Sequence, residues 1–295
     1  MIGFTVNFGI NMVPVHPADL ASVARSAEEL GFESLWLGEH VVTPVTLTHA
    51  YPGGDGTPPF APNSRFLDPF TALSHLAAHT RTIRLGTGVL VAPLHSPLGL
   101  ARTIATVDVL SGGRLSVGVG VGWMREEFAV EGMSFADRGR RTDDLLTILD
   151  ALFGNEIAGF SSERYTLPEM GFEPKPLQKP RPPVFVGGAS PAALARTAAF
   201  GDGWYGGQQP PDRVAEILTD IHHRREELGR ADLPFETTVL TGWSTPFDAR
   251  LIERYREVGV DRVVVTPWAR SRHAQAAIEQ FADAAALTTP ALATP

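Results

Sequence analysis

The chain has 295 residues, 43% of them hydrophobic, with 25 Lys and Arg against 33 Asp and Glu and a formal net charge of −8. That balance lacks the basic face that phosphate neutralisation needs, so it argues against a nucleic-acid binder, while a small anion can still be held locally by backbone N–H groups. The absence of cysteine excludes disulfides, thiolate nucleophiles, Cys-ligated zinc and iron–sulfur clusters.

The chain opens MIGFTVNFGI, without a basic n-region or a cleavage site, and its longest apolar runs, such as VLVAPL, fall far short of a ~20-residue membrane span. A cytoplasmic protein with no membrane partner is therefore expected. FTVNF (4–8) reads as a strand. The run 18–30 reads as a helix, because Leu20, Val23, Ala24, Ala27 and Leu30 recur at helical spacing and Gly31 stands where a C-cap belongs. SLWLGEH (34–40) reads as the second strand. Asp68-Pro69 then starts a helix over 68–80, with an N-cap residue followed by proline at the first helical position. The strand 83–91 and a helix over 96–110 follow, the latter started by Ser96-Pro97, and then the strand 114–122 and a helix over 140–153. The second half repeats the theme, with strands at 183–188, 203–207, 236–243 and 262–267. Helices at 190–200, 211–228, near 247–258 and near 271–286 follow them in turn.

Strict alternation of strands and helices means a parallel sheet built by right-handed crossovers. Eight such units predict an α/β fold of the (β/α)8 TIM-barrel type, with an open eight-stranded sheet as the alternative the pattern leaves. One barrel domain over 1–287 is expected, followed by a flexible tail over 288–295, where the sequence turns small and Pro-rich. The connections 41–67 and 154–182 are long and rich in Pro and Gly. Such lengths in a compact domain mark lids, binding loops or disorder, and both are expected near the site, where they would exclude water.

In such a barrel, chemistry sits at the C-terminal ends of the strands. Glu39 and His40 end the second strand and precede a long loop, so they are candidate tools: a proton carrier and a carboxylate that orients it or holds charge. The bland alternative is a solvated strand end. Strand one ends near Asn7 and Gly9. Strand three contains Gly86 and Gly88, and strand four runs through Gly118 and Gly120 to Trp123. Glycine weakens a strand unless a bulge or a close ligand approach needs the bare backbone. The strand-four glycines are not a dinucleotide fingerprint, because Trp123 stands where the third glycine is required and no helix is expected immediately afterwards. They fit an inner wall that leaves room for a flat ring. VFVGGASPAAL puts Gly187, Gly188, Ala189 and Ser190 at a helix N-terminus, which suits an anion, although Ser190-Pro191 is also an ordinary helix start. His75 and His79 lack a catalytic glutamate between them and are expected on the outer ring, so no metal site is assigned there. RGRR (138–141) reads as a surface or salt-bridge cluster.

The stretches GFESLWLGEH, IRLGTGVLVAPLHSP, SGGRLSVGVGVGWMREEF, FADRGRRTDDLL, PPVFVGGASPAALARTAAFGDGWYGG and GVDRVVV, in this order over about residues 1–285, resemble the luciferase-like monooxygenase superfamily. The resemblance implies a (β/α)8 barrel, a homodimer and a flavin or deazaflavin cofactor. The short chain, without long insertions, is most similar to the branch of F420-dependent oxidoreductases. In that branch, Glu39 and His40 match the acid–histidine pair that approaches the reactive part of the ring, and would be catalytic. Thr87, Gly88 and Val89 match the strand-three bulge, often with a non-prolyl cis peptide, that supports the ring from behind. Gly187, Gly188, Ala189 and Ser190 match the phosphate-tail site. Asn7, His40, Gly120 and Trp123 complete the expected cofactor-binding set.

Characterised sugar-phosphate dehydrogenases of this branch carry an acid directly after the strand-four glycines, where this chain has Trp123, with Glu126 and Glu127 further on. The expected activity is therefore hydride transfer between coenzyme F420 and a small, apolar or aromatic organic substrate. The alternatives are an FMN-dependent monooxygenase using reduced flavin and oxygen, and a non-catalytic cofactor-binding protein.

Overall fold

A computed structural model describes residues 6–52 and 56–287. The first two residues of the expected strand 4–8 and the expected tail 288–295 lie outside the described residues. In chain order the first half gives β1 (Asn7–Asn11), α1 (Leu20–Glu29), β2 (Ser34–Leu37), α2 (Pro69–His79), β3 (Arg84–Thr87), β4 (Leu90–Val91), α3 (Pro97–Ser111), β5 (Leu115–Gly120), α4 (Arg125–Val130) and α5 (Arg138–Gly154). The second half gives β6 (Ile157–Ser161), β7 (Thr166–Gly171), β8 (Val184–Gly187), α6 (Pro191–Phe200), β9 (Gly203–Gly207), α7 (Pro211–Glu227), β10 (Glu236–Trp243), α8 (Ala249–Glu257), β11 (Arg262–Thr266) and α9 (Ala274–Ala284).

The main sheet runs β3-β2-β1-β11-β10-β9-β8-β5, and β3 also pairs with β5, which closes the ring. Every pairing in it is parallel. The expected (β/α)8 barrel is thus the observed fold. Helices start where the sequence caps them. Asp68 accepts the Thr71 amide at 2.7 Å, and Ser96 and Ser190 cap α3 and α6 in the same way, each ahead of a proline; a cap of this kind stabilises by about 1 kcal/mol.

Strand parity sorts the core into two parts. Leu35 and Leu37 on β2 and Val263 and Val265 on β11 pack outward against the helices. Trp36 and Val264 point inward and meet Phe185 and Tyr205 on the barrel axis. The Trp36 and Phe185 rings lie edge to face at 5.6 Å, and the Arg262 guanidinium sits 5.6 Å from both ring centres. Glu33 and Glu236 neutralise that arginine at 2.6 and 3.0 Å. The axis below the C-terminal face is therefore filled. Gly86, whose bare backbone suggested a bulge or a close ligand approach, serves this plug instead: a Cβ there would stand 2.4 Å from Cε3 of Trp36.

The connection 154–182 differs from its expectation. It contains the antiparallel hairpin β6–β7 and joins α5 to β8, so it emerges at the N-terminal face, opposite the catalytic end. Its bonds confirm that position, with Gln178 on Asp108 and on the Leu115 carbonyl at the start of β5. Only strand-to-helix connections reach the C-terminal face, and 41–67 is of that kind. A short helix, α4, also begins soon after β5, where none was expected.

Candidate active site

A cavity of about 630 Å³ opens at the C-terminal ends of the strands, within the size range of small-molecule sites. Its floor is a break in the third strand. β3 stops at Thr87, the peptide bond between Gly88 and Val89 is cis, and β4 resumes at Leu90. This is the bulge that the family resemblance implies for these residues. Gly88 and Val89 line the cavity; Thr87 does not, being wholly buried behind them with its hydroxyl donating to the Gly118 carbonyl at 2.8 Å. Gly120 lies against the bulge so closely that a Cβ there would stand 2.8 Å from Val89 Cγ2. Trp123, Gly187, Gly188, Ala189 and Ser190, other residues expected to bind cofactor, also line the cavity.

Asn7 is a correction. It begins β1 opposite Arg262, is exposed, and lies at the far end of the barrel from the cavity. The strand occupies 7–11 rather than 4–8, so Asn11 stands at the mouth and lines the cavity in its place.

Glu39 and His40 both belong to the cavity wall, and they do not pair with each other. Parity continues beyond β2: Trp36, Gly38 and His40 face the axis, so Glu39 faces the helix layer. There its carboxylate accepts the Val91 amide at 2.7 Å and His95 Nε2 at 3.0 Å, while its own N–H donates to the Val89 carbonyl at 3.3 Å. Glu39 thus clasps the bulge from behind. Burial of His95 alone would lower its pKa, and the Glu39 hydrogen bond and charge, aided by Asp68, reverse this and raise it.

His40 turns into the cavity and finds a different carboxylate. Its Nδ1 lies 3.1 Å from Oε1 of Glu127, on α4. Its ring packs at 4.8, 4.9 and 5.8 Å from the ring centres of Phe60, Phe66 and Trp123. Tyr51 stands edge-on to Trp123 at 5.3 Å, and burial pushes its phenol pKa up. The connection 41–67 supplies Tyr51, Phe60 and Phe66, so it is a wall of the site. Glu126 pins it through the amide and hydroxyl of Thr48, at 2.8 and 2.7 Å. The 154–182 connection contributes no lining residue among those described. Tyr205, buried and with its phenol pKa pushed well up by desolvation, closes the cavity toward the plug. Sequence reasoning missed Tyr51, Phe60, Phe66, Tyr205 and the role of Glu127. Tyr51, Phe60 and Phe66 were visible as a cluster in a Pro- and Gly-rich loop, and nothing in a single sequence fixes which way a loop folds; Tyr205 lies on β9.

The residues fit a flat ring with an anionic tail. A bare backbone floor, apolar walls at Val89, Leu90, Leu240 and Trp123, and the turn 187–190 ahead of α6 surround one space. Neutral backbone donors at a helix start suit a phosphate.

Comparison with known proteins gives the family and agrees with the fold. The luciferase-like monooxygenase family model matches residues 3–245. An uncharacterized protein of Mycobacterium tuberculosis is 35% identical over 251 residues, 83% of this chain and 85% of its own. The oxygenase component of a flavin-dependent trigonelline monooxygenase from Acinetobacter baylyi is 30% identical over 175 residues, 59% of this chain and 43% of its own. Among solved structures, an F420-dependent secondary alcohol dehydrogenase in complex with an F420-acetone adduct shares the fold with a TM-score of 0.77 at 16% identity, over 94% of this chain and 98% of that one. Monooxygenase RslO1 from Streptomyces bottropensis does so with a TM-score of 0.75 at 20% identity, over the same shares. The fold, the cavity and the match over most of its length place this chain in the luciferase-like monooxygenase family.

Proposed function

We propose that the protein is an oxidoreductase that uses coenzyme F420 and moves a hydride between it and a small apolar or aromatic substrate. One arrangement carries the reading: a bare-backbone floor at Gly88-Val89 and a histidine, fixed at one ring nitrogen, share a single cavity. When bound, the deazaflavin would supply a ring carbon that gives or takes a hydride, and the protein supplies position and protons. Gly88, Val89 and Gly120 would support the ring, and Gly187 to Ser190 would hold its phosphate. His40 Nε2, which has no hydrogen bond among the described residues, would exchange the proton that accompanies the hydride. Tyr51, Phe60, Phe66 and Trp123 would exclude water and meet the substrate with apolar edges. That lining, with Trp123 where sugar-phosphate dehydrogenases have an acid, supports an apolar or aromatic substrate.

A second reading has its own support. The trigonelline monooxygenase relative is flavin-dependent, so reduced FMN with oxygen is the rival. Fluorescence titration of the purified protein with oxidised F420 and, in parallel, FMN tests both. Preferential binding of F420 supports hydride transfer, and preferential binding of FMN with oxygen uptake replaces it. Binding of neither sinks both. His40→Asn should bind the cofactor normally and lose turnover; full turnover would remove His40 from the mechanism. The family resemblance also leads us to propose a homodimer, which light scattering would test.

A further inference from the structure

Glu127 has a side-chain exposure of 0%. Its Oε1 accepts two hydrogen bonds, from the Val41 amide at 2.7 Å and from His40 Nδ1 at 3.1 Å. Its Oε2 is buried without a hydrogen-bond partner among the described residues. A carboxylate buried with one oxygen unmatched is destabilising. If the site needed only an acceptor for the Val41 amide, a neutral amide side chain would serve with less desolvation. Among the described residues, the ionisable side chain that this carboxyl contacts is His40.

We infer that Glu127 is a positioning residue, which holds His40 with a proton on Nδ1 and Nε2 toward the cavity while Val41 is seated on the same oxygen. Oε1 already accepts the Val41 amide, and an oxygen in that role accepts from His40 as well, so the proton between them belongs to Nδ1. The second nitrogen is then free to take a proton from the substrate or return it. In each turnover one proton passes between substrate and Nε2; the Nδ1 proton stays in place, and Glu127 is neither protonated nor oxidised. Its charge stabilises the doubly protonated ring. Because Val41 is the first residue of the 41–67 connection, displacing that wall and releasing His40 are the same event. Glu126, the preceding residue, binds Thr48 of the same connection, so adjacent acids on α4 hold both the wall and the histidine.

This inference rests on the reading of His40 as the proton carrier. The test begins on ligand-free protein, with 15N NMR of the histidine rings assigned by His40→Asn. Wild type should show the Nδ1–H tautomer at His40. Glu127→Gln keeps an acceptor oxygen and should keep that tautomer. Glu127→Ala should lose it. In the loaded enzyme, Glu127→Ala and Glu127→Gln should each lower kcat by about 10- to 100-fold, as loss of an orienting partner commonly does, with KM nearly unchanged. Glu127→Asp should recover part of the loss. An unchanged His40 tautomer in Glu127→Ala, or wild-type kcat in Glu127→Gln, overturns the inference. If His40→Asn itself turns over normally, the proposed function of His40 fails, whereas the NMR result still decides whether Glu127 sets its ring.

Discussion

Glu39 and His40 are neighbours in sequence on opposite faces of the barrel wall, so substituting them should separate stability from turnover. Glu39 accepts one backbone amide and one imidazole N–H, both near 3 Å or shorter. Hydrogen bonds to a charged acceptor contribute about 1.5–3 kcal/mol each. Glu39→Gln keeps a neutral acceptor for Val91 and loses the charge facing His95, so it should destabilise by about 1.5–3 kcal/mol. Glu39→Ala leaves two donors unmatched in a side-chain environment only 8% exposed, and should cost about 3–5 kcal/mol. A double-mutant cycle of Glu39→Gln with His95→Gln, read by urea denaturation, should give a coupling of about 1–3 kcal/mol near pH 6. The sign of its pH dependence follows from His95, whose native pKa is raised above the ordinary 6.5. A raised pKa means stability that is complete below the unfolded value and lost as pH climbs through the native one. The coupling should therefore be fully present below the ordinary 6.5 and shrink as pH climbs through the raised native value. A coupling that stays flat or grows over that range refutes the pairing. So does a Glu39→Gln variant that unfolds like wild type while its kcat collapses.

Gly120→Ala should push Val89 out of place, because its Cβ would stand 2.8 Å from Cγ2; the expected outcome is a loss of about 1–3 kcal/mol on denaturation together with weaker binding of FMN or F420. Glu126→Gln should loosen the 41–67 connection and speed limited proteolysis within it. The Thr48 hydrogen bonds lower the Glu126 pKa, so this restraint should hold at neutral pH and fade as pH falls below the ordinary 4.5 through the native value. Arg262→Met removes the buried partner of Glu33 and Glu236, which stay 24% and 41% exposed, and a loss of about 1–3 kcal/mol is expected from calorimetry or denaturant melts.

The barrel was legible because eight strands alternate with eight helices along the chain, several of those helices marked at their start by a cap residue and a proline. The position of His40 was legible for the same reason: it ends a strand of a kind whose tips carry chemistry. Its partner was not. Two adjacent residues on an extended chain point to opposite sides, so Glu39 could reach His95 and not His40, and this parity was available from SLWLGEH itself. Glu127 sits on a six-residue helix too short to show periodicity, and the two bonds at its Oε1 join segments some 87 positions apart. Asn7 was misplaced because the strand starts three residues later than its apolar run suggests. The hairpin 157–171 was hidden by Gly and Pro, which masked the alternation on either side of its turn.

The aromatic plug has a consequence for traffic. With Trp36, Phe185 and Tyr205 filling the axis and Arg262 beneath them, the described residues close the cavity along the barrel axis, and Tyr51, Phe60, Phe66 and Trp123 line it. Whatever rests on the Gly88-Val89 floor therefore has no way out along the barrel axis past the plug, and comes and goes on the side of the C-terminal face.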